Sequence, residues 1–464
     1  MPGAICALIR FLDPHFRAPI RRLPIAMILM PRCAKPSPVS APCPILQATL
    51  RRGGSCALPT CPQARPDRRA MPFKLRQCRA CGGAVTDILD LGASPIANAL
   101  LSEPDADPPR YPLGLVDCAE CGLVQNRTAL PDDLLFAPDY PYFASVSAAV
   151  RAHADDIATA LASHLPKGAT TLEVGSNDGA VQAALAQRGI TAIGIDPATG
   201  PALAARAKGL TVINAGFDAR VVDQVLTDHG PVTAVHMCNV LAHVNTPKQL
   251  IKNAKSVLAP GGFIMIEVQS WRALVTAGAF DMVYHEHHAH FSLGSLAALL
   301  RDAGLGIKAV EDIAMQGGSL RVWCQPDTAH SADIAPAIKA EAAALADAPA
   351  RLDAALKRFR GDVARFLHDL GDRPLYGYGA AAKTVTLIAA SGCDWPLQAV
   401  ADAAPSKIGR YLPMGGVPII APAALEARAP ATLFLFAWNI AREIAPRFAG
   451  SRIMVPVPHL HELT

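Results

Sequence analysis

Cys78 and Cys81 form a C-x2-C pair, and Cys118 and Cys121 form a second pair after a 36-residue spacer, each followed by a glycine (Gly82, Gly122). No other feature restricts the fold of this chain so strongly. Two knuckles of this kind bring four thiolates to a tetrahedron, which suits Zn²⁺ at metal–sulfur distances of about 2.3 Å. All four positions are then thiolates, so no coordination position stays open for chemistry, and the zinc is read as structural. A disulfide pair and a redox C-x-x-C are the competing readings. Neither has an oxidising compartment or a thioredoxin-like context behind it.

The 464 residues correspond to about three domains at roughly 150 residues each. Apolar residues make up 51% and charged residues 18%, which excludes a disordered or fibrous chain. No uninterrupted apolar run approaches the ~20 residues that span a bilayer. The formal charge of +4 is unevenly placed: residues 1–70 hold 11 Lys/Arg against Asp13 and Asp67, leaving 71–464 at −5. A folded part of that sign argues against a duplex-binding protein. Residues 1–70 also carry 12 of the 40 prolines, and no helical or strand period survives there. They read as a disordered or mis-assigned extension, with translation expected to start at Met71. Arg21–Arg22 fits a twin-arginine signal poorly, and the expected location is cytoplasmic.

After the helix-period run Val150, Ile157, Leu161, Leu165, the strand "TTLEV" runs into Gly175-Ser176-Asn177-Asp178-Gly179 and then a helix, "AVQAALAQRG". Glycines there let backbone approach a ligand closely, and a loop carboxylate can accept amino or hydroxyl donors. The next strand, "TAIGID", ends in Asp196, placed to grip ribose hydroxyls. The G-x-G-x-x-G of dinucleotide enzymes is absent. "LEVGSNDG" resembles motif I of class I AdoMet-dependent methyltransferases, and Glu173, Gly175, Asn177, Asp178, Gly179, Asp196 and Asn239 are assigned to the cofactor.

The strand "VTAVHM" leads to Cys238-Asn239-Val240-Leu241-Ala242-His243. The Asn-Pro-Pro-aromatic tetrapeptide of nucleic-acid amino methylases is missing, and Cys238 lacks the preceding proline of a cytosine-C5 methylase. It reads as a small core residue. His243 alone is as compatible with an interior histidine as with a catalytic one. The strand "GFIMIEV" precedes Tyr284-His285-Glu286-His287-His288-Ala289-His290-Phe291-Ser292. Four histidines, a glutamate and a tyrosine in nine residues are costly to bury without purpose. The spacing is not that of H-E-x-x-H zincins. Proton chemistry remains, in which a neighbouring carboxylate orients a histidine and raises its basicity; a surface loop is the alternative.

"YHEHHAHFS", "NVLAHV", the C-x-x-C pairs and "GGSLR" (317–321) together resemble the sugar C-methyltransferase family over about 71–464. The resemblance implies an α/β chain: a zinc-binding domain (71–135), a class I AdoMet methyltransferase domain of Rossmann-like fold (136–305) and a second Rossmann-like domain binding substrate (306–464). "PLYGYGAAAKTVTLI" (374–388) agrees, reading strand, glycine loop, helix. The family implies His287 as general base, with Tyr284, Glu286 and His243 lining the pocket. It also implies a tyrosine from "DYPYFASVS", assigned to Tyr142 with Tyr140 as the alternative. His290 departs from the pattern, where an aromatic such as tyrosine is usual. Lys383, Lys407 and Arg410 are candidates for meeting a diphosphate, with solvated surface charge as the alternative.

The expected reaction is AdoMet-dependent C-methylation α to a ketone, on a nucleotide-linked keto-deoxysugar, through an enolate formed by the histidine. AdoMet methylation of another polar ketone or a hydroxyl is the second reading. A zinc-module nucleic-acid protein fits the charge poorly, and an NAD oxidoreductase built on "GYGAAAK" has too little glycine. The expected partner is a small molecule, with no nucleic acid and no membrane. The oligomeric state is open, a monomer included.

Overall fold

The computed structural model describes residues 73–136 and 142–463. The expectations for residues 1–70, for a start at Met71 and for Tyr140 lie outside the described residues. In the first segment, β1 (Phe73–Lys74) pairs with β5 (Thr128–Ala129), and β2 (Val85–Ser94), β3 (Tyr111–Cys118) and β4 (Val124–Asn126) form an antiparallel sheet. β3 ends on Cys118 and β4 begins just after Leu123, so strands clamp the second knuckle at both ends. This sheet takes its last strand from far along the chain. β11 (Ala289–His290), inside the histidine-rich stretch, pairs with β4.

The central sheet has the order β12–β13–β10–β9–β6–β7–β8. Its parallel part is β6 (Thr170–Val174), β7 (Thr191–Ile195), β8 (Thr211–Ile213), β9 (Val232–Cys238) and β10 (Leu258–Gln269). Leu172, Ile193, Val235 and Ile264 are fully or almost fully buried, as strands covered on both faces require. The helix Ala148–His164 buries Ala154, Ile157, Ala158 and Leu161, a 3.6-residue stripe, behind an N-cap on Ser147. The sheet runs past the division expected at 305/306. β12 (Leu305–Ile313) and β13 (Ser319–Pro326) extend it antiparallel, placing the last three residues of "GGSLR" on the central sheet and its two glycines in the turn before them.

The helix Ala348–Leu370 buries Leu352, Leu356, Phe359 and Val363 in a core shared with Leu89, Leu91, Leu113 and Leu115 of the first sheet. The last sheet has the order β16–β15–β14–β17–β18–β19. Its strands are β14 (Leu375–Tyr378), β15 (Leu397–Ala401), β16 (Ile419–Ile420), β17 (Thr432–Leu435), β18 (Arg452–Val455) and β19 (His461–Glu462). The chain is thus α/β, with two sheets whose strand order reverses at a first strand: β6 lies between β7 and β9, and β14 between β15 and β17. Crevices beyond the carboxyl ends of such strands are where open parallel sheets bind ligands. Among the described residues no helix is long and apolar enough to cross a membrane.

Candidate active site

The loop after β6 has the backbone of a cradle. Gly175 (φ +72°) and Gly179 (φ +79°) are left-handed, and a Cβ would meet Val240 Cγ2 at 2.3 Å or Leu210 Cδ1 at 2.2 Å. Any other residue would be strained there and would have to displace those side chains. Asp196 organises the loop from the end of β7, accepting from the Asn177 N–H (2.8 Å) and the Ala198 N–H (2.8 Å). Asp178 does not face outward as the sequence suggests: its carboxylate accepts from the Ser145 N–H (3.1 Å), the Ser145 hydroxyl and Lys208 Nζ (3.3 Å). Asn177 Oδ1 accepts from the Ala144 N–H (2.8 Å), and its Nδ2 donates to the Tyr142 carbonyl (3.2 Å). The Tyr142 segment therefore lies across the loop, with Tyr142 itself 42% exposed. Asn239 is left-handed (φ 57°) at the end of β9, on the other side of the same crevice.

These residues fit AdoMet. Burial raises the Glu173 and Asp196 carboxyls, the negative charge of Asp178 adds to both, and Glu173 Oε2 is buried without a partner. A cationic ligand with hydroxyl and amino donors relieves that desolvated acidity. Asp196→Ala should weaken AdoMet binding by at least ~1–2 kcal/mol, the scale of a lost charge-assisted hydrogen bond. Calorimetry giving unchanged affinity with the fold intact would move the pocket elsewhere.

The four cysteine Sγ atoms lie within 4.8 Å of one another, with Cys78–Cys121 at 3.5 Å and Cys81–Cys118 at 3.4 Å. Each knuckle closes with the same backbone bond, Gly82 N–H to Cys78 O (2.9 Å) and Gly122 N–H to Cys118 O (2.8 Å), while the Ala80 and Gly83 amides point at sulfur. A tetrahedral ion with ~2.3 Å bonds to sulfur fits such a cluster.

The histidine stretch is no surface loop: His285, Glu286, His287, His288 and His290 are all buried. His287 Nδ1 lies 2.8 Å from the Met282 carbonyl, which can only accept, so the proton sits on Nδ1. Nε2 is then the basic atom, and it receives the Tyr284 hydroxyl at 2.6 Å. His243 repeats the arrangement, its Nδ1 donating to the Glu286 carbonyl at 2.9 Å, and its ring meets that of His287 at 4.8 Å. The expectation that Glu286 orients His287 needs correction. The Glu286 Oε1 accepts from the Asn98 N–H and Nδ2 (3.0 Å each), its Oε2 is buried without a partner, and a main-chain carbonyl orients the histidine. Burial raises the Glu286 carboxyl to about 7 and holds His287 well below the ordinary histidine value, with His243 and His290 adding to the latter. His287 is thus neutral at physiological pH.

Burial also lowers His243, His285 and His290 to about 4 each. Their folded values lie below the unfolded value of ~6.5, so stability is intact above that pH and is lost as pH falls toward 4. Glu286 acts oppositely, losing its contribution as pH rises from about 4.5 to 7. Together with the raised Glu173 and Asp196 it offsets part of the histidine effect, to which the lowered His287 adds. Melting temperature should therefore drop steeply between about pH 6.5 and 4. A flat profile across that window would contradict the buried neutral histidines.

Three family models match successive parts of the chain: a zinc binding domain (residues 78–136), a methyltransferase domain (147–310) and a C-methyltransferase C-terminal domain (314–458). The C-methyltransferase NovU of Streptomyces niveus is 30% identical over 402 residues, which cover 82% of this chain and 95% of that protein. The chain belongs to the AdoMet-dependent C-methyltransferase family. An ubiquinone biosynthesis O-methyltransferase of Acinetobacter baumannii (strain AYE) is 22% identical over 34% of this chain and 73% of its own. The magnesium protoporphyrin IX methyltransferase of Synechocystis PCC 6803 with bound SAM gives a TM-score of 0.30 at 15% identity, covering 38% of this chain and 79% of that one.

In this C-methyltransferase the three cationic candidates separate. Lys383 is buried at the first turn of the helix Ala382–Ser391, beside the carboxyl end of β14. It donates to Asn439 Oδ1 and lies over the Trp438 ring (4.9 Å to the centroid). Trp438 Nε1 in turn donates to Asp281 Oδ2 (2.6 Å), just before the histidine stretch. Burial lowers the Lys383 ammonium to about 8, partly countered by Asp281. Lys407 instead has internal partners, the Ala380 carbonyl (2.8 Å) and Asp402 (3.2 Å), and Arg410 donates to the Leu100 carbonyl (2.9 Å). Sequence reasoning missed Asn98, Asp281, Trp438 and Asn439. The last two end the apolar run "LFLFAWN", where a strand tip at a switch point was a usable signal. Asn98 lies 188 residues from Glu286 and carries no such signal.

Proposed function

We propose that this C-methyltransferase methylates a carbon α to a ketone in a nucleotide-linked keto-deoxysugar, with His287 as the general base. The observation that carries the reading is the pair Tyr284–His287: a buried, neutral imidazole with Nδ1 fixed on a carbonyl and Nε2 presented to a phenol at 2.6 Å. A C–H bond becomes acidic enough for histidine only next to a carbonyl, which makes the acceptor a ketone. Substrate entering here replaces the phenol on Nε2, which takes the α-proton. The freed Tyr284 hydroxyl then serves as a donor to the enolate oxygen. AdoMet, when bound, supplies the electrophilic methyl group. Glu173, Gly175, Asn177, Gly179, Asp196 and Asn239 would hold it, with Asp178 acting indirectly by tying down the loop and Tyr142 covering it. Cys78, Cys81, Cys118 and Cys121 would hold the zinc.

Lys383 supports an anionic substrate. A buried ammonium beside a β-strand switch point, linked through Trp438 and Asp281 to the histidine stretch, is suited to a diphosphate while the sugar reaches His287. Lys407 and Arg410 would shape that crevice rather than touch the ligand. The test is incubation with labelled AdoMet and a panel of dTDP-, GDP- and CDP-keto sugars, scored by mass spectrometry. Transfer to carbon of one keto sugar is expected. Transfer only to a hydroxyl, or to no nucleotide sugar, would overturn the assignment.

A further inference from the structure

Arg79 stands inside the first cysteine knuckle and is not a metal-ligand type. Its backbone N–H donates to Gln125 Oε1 of β4 (2.8 Å), and its guanidinium reaches across to both histidine-bearing segments. Nε donates to Asn245 Oδ1 (3.2 Å), two residues beyond His243. Nη1 donates to the His288 carbonyl (3.4 Å), directly after His287, and to the Asn126 carbonyl (3.3 Å). The second knuckle leads to the same place, since Asn126 follows it closely on β4. The Asn126 N–H donates to the His288 carbonyl (3.0 Å), and its Nδ2 donates to the Tyr284 carbonyl (3.2 Å). The carbonyls on both sides of His287 are therefore held by groups that the two knuckles position.

We propose that Arg79 is a positioning residue for the reaction, a brace through which the zinc knuckle sets the attitude of His287 and His243. The proposal rests on His287 as the base. A planar fork of donors can meet acceptors on three separate chain segments at once, whereas an ammonium on a flexible stem can satisfy only part of that set. With four thiolate ligands the zinc would have no open position for substrate, yet its knuckle would set how the histidine stretch is held. Small displacements of a catalytic group are costly, so the brace acts on rate rather than on cofactor affinity.

The test compares full-length wild type with Arg79→Met, Arg79→Lys and Asn126→Ala by zinc content, AdoMet calorimetry and amide hydrogen exchange. Arg79→Met should keep its zinc and bind AdoMet within about twofold, while amides 284–290 exchange about tenfold faster or more and amides 170–195 do not change. Arg79→Lys should restore part of that protection. Unchanged protection of 284–290 in Arg79→Met overturns the brace, as does an equal loosening of 170–195, which makes Arg79 a general fold residue. Should Arg79→Met fail to fold, Arg79→Lys decides on the same readout, because it keeps the charge and the stem but loses the fork: amides 284–290 still as protected as in wild type would overturn the brace. Deuterium wash-in on the accepted keto sugar should fall with the protection. Faster exchange of 284–290 with undiminished wash-in overturns Arg79 as a positioning residue, whereas undiminished wash-in in His287→Asn overturns His287 as the base.

Discussion

Replacing His287 by asparagine should leave AdoMet and substrate binding near wild type while turnover falls by roughly 10²–10⁴, the range of general acid–base catalysis. Asparagine has similar reach and polarity, but it cannot take a proton near neutral pH. The structure sharpens this expectation, because His287 already has its Nδ1 proton committed to the Met282 carbonyl and only Nε2 can act. Wash-in of deuterium from D₂O at the substrate's α-carbon, measured without methyl donor, should disappear together with turnover. His243→Asn is the necessary control. That ring shares the tautomer of His287 and lies 4.8 Å from it, so orientation alone does not separate the two. The contact with Tyr284 does, since it joins a base and a hydroxyl donor in one place. Should His287→Asn exchange deuterium at the wild-type rate while His243→Asn does not, the base is His243.

Loss of the zinc should be as damaging to activity by a different route. Cys78→Ser with Cys118→Ser, or prolonged chelation, should remove the metal, abolish methyl transfer and lower the melting temperature. Structural zinc contributes about 10–16 kcal/mol in small zinc-binding peptides. Here Cys78, Cys118 and Leu123 pack with Ala289, Phe291 and Leu172 in one apolar core, so the knuckles support the central sheet as well. β4 leaves the second knuckle and carries β11, so the histidine stretch loses its partner strand when the knuckle opens. Elemental analysis showing zinc unaffected by the double substitution would contradict the four-thiolate site.

Much of the architecture was legible along the chain. "TTLEV", "TAIGID" and "GFIMIEV" are apolar runs too short for helices and bounded by glycine or charge, and they form β6, β7 and the core of β10. Glycines at 175 and 179 announce a left-handed loop because most other residues are strained in that backbone conformation. The C-x-x-C pairs announce convergence because metal coordination prescribes geometry. The partner of Glu286 was not legible, and adjacency suggested His287. Chain adjacency does not prescribe side-chain direction: the carboxylate turns to Asn98 of the zinc-binding module and a carbonyl takes its place on the imidazole. Likewise, an acidic residue in a glycine loop says nothing about what lies above it, and Asp178 is covered by Ser145. Local patterns determined which residues become strands, cradles and thiolate clusters, since backbone sterics and burial act over a few neighbouring residues. Where the histidine stretch sits against the zinc-binding module was decided only when β4 met β11, because those hydrogen bonds join groups more than 150 residues apart.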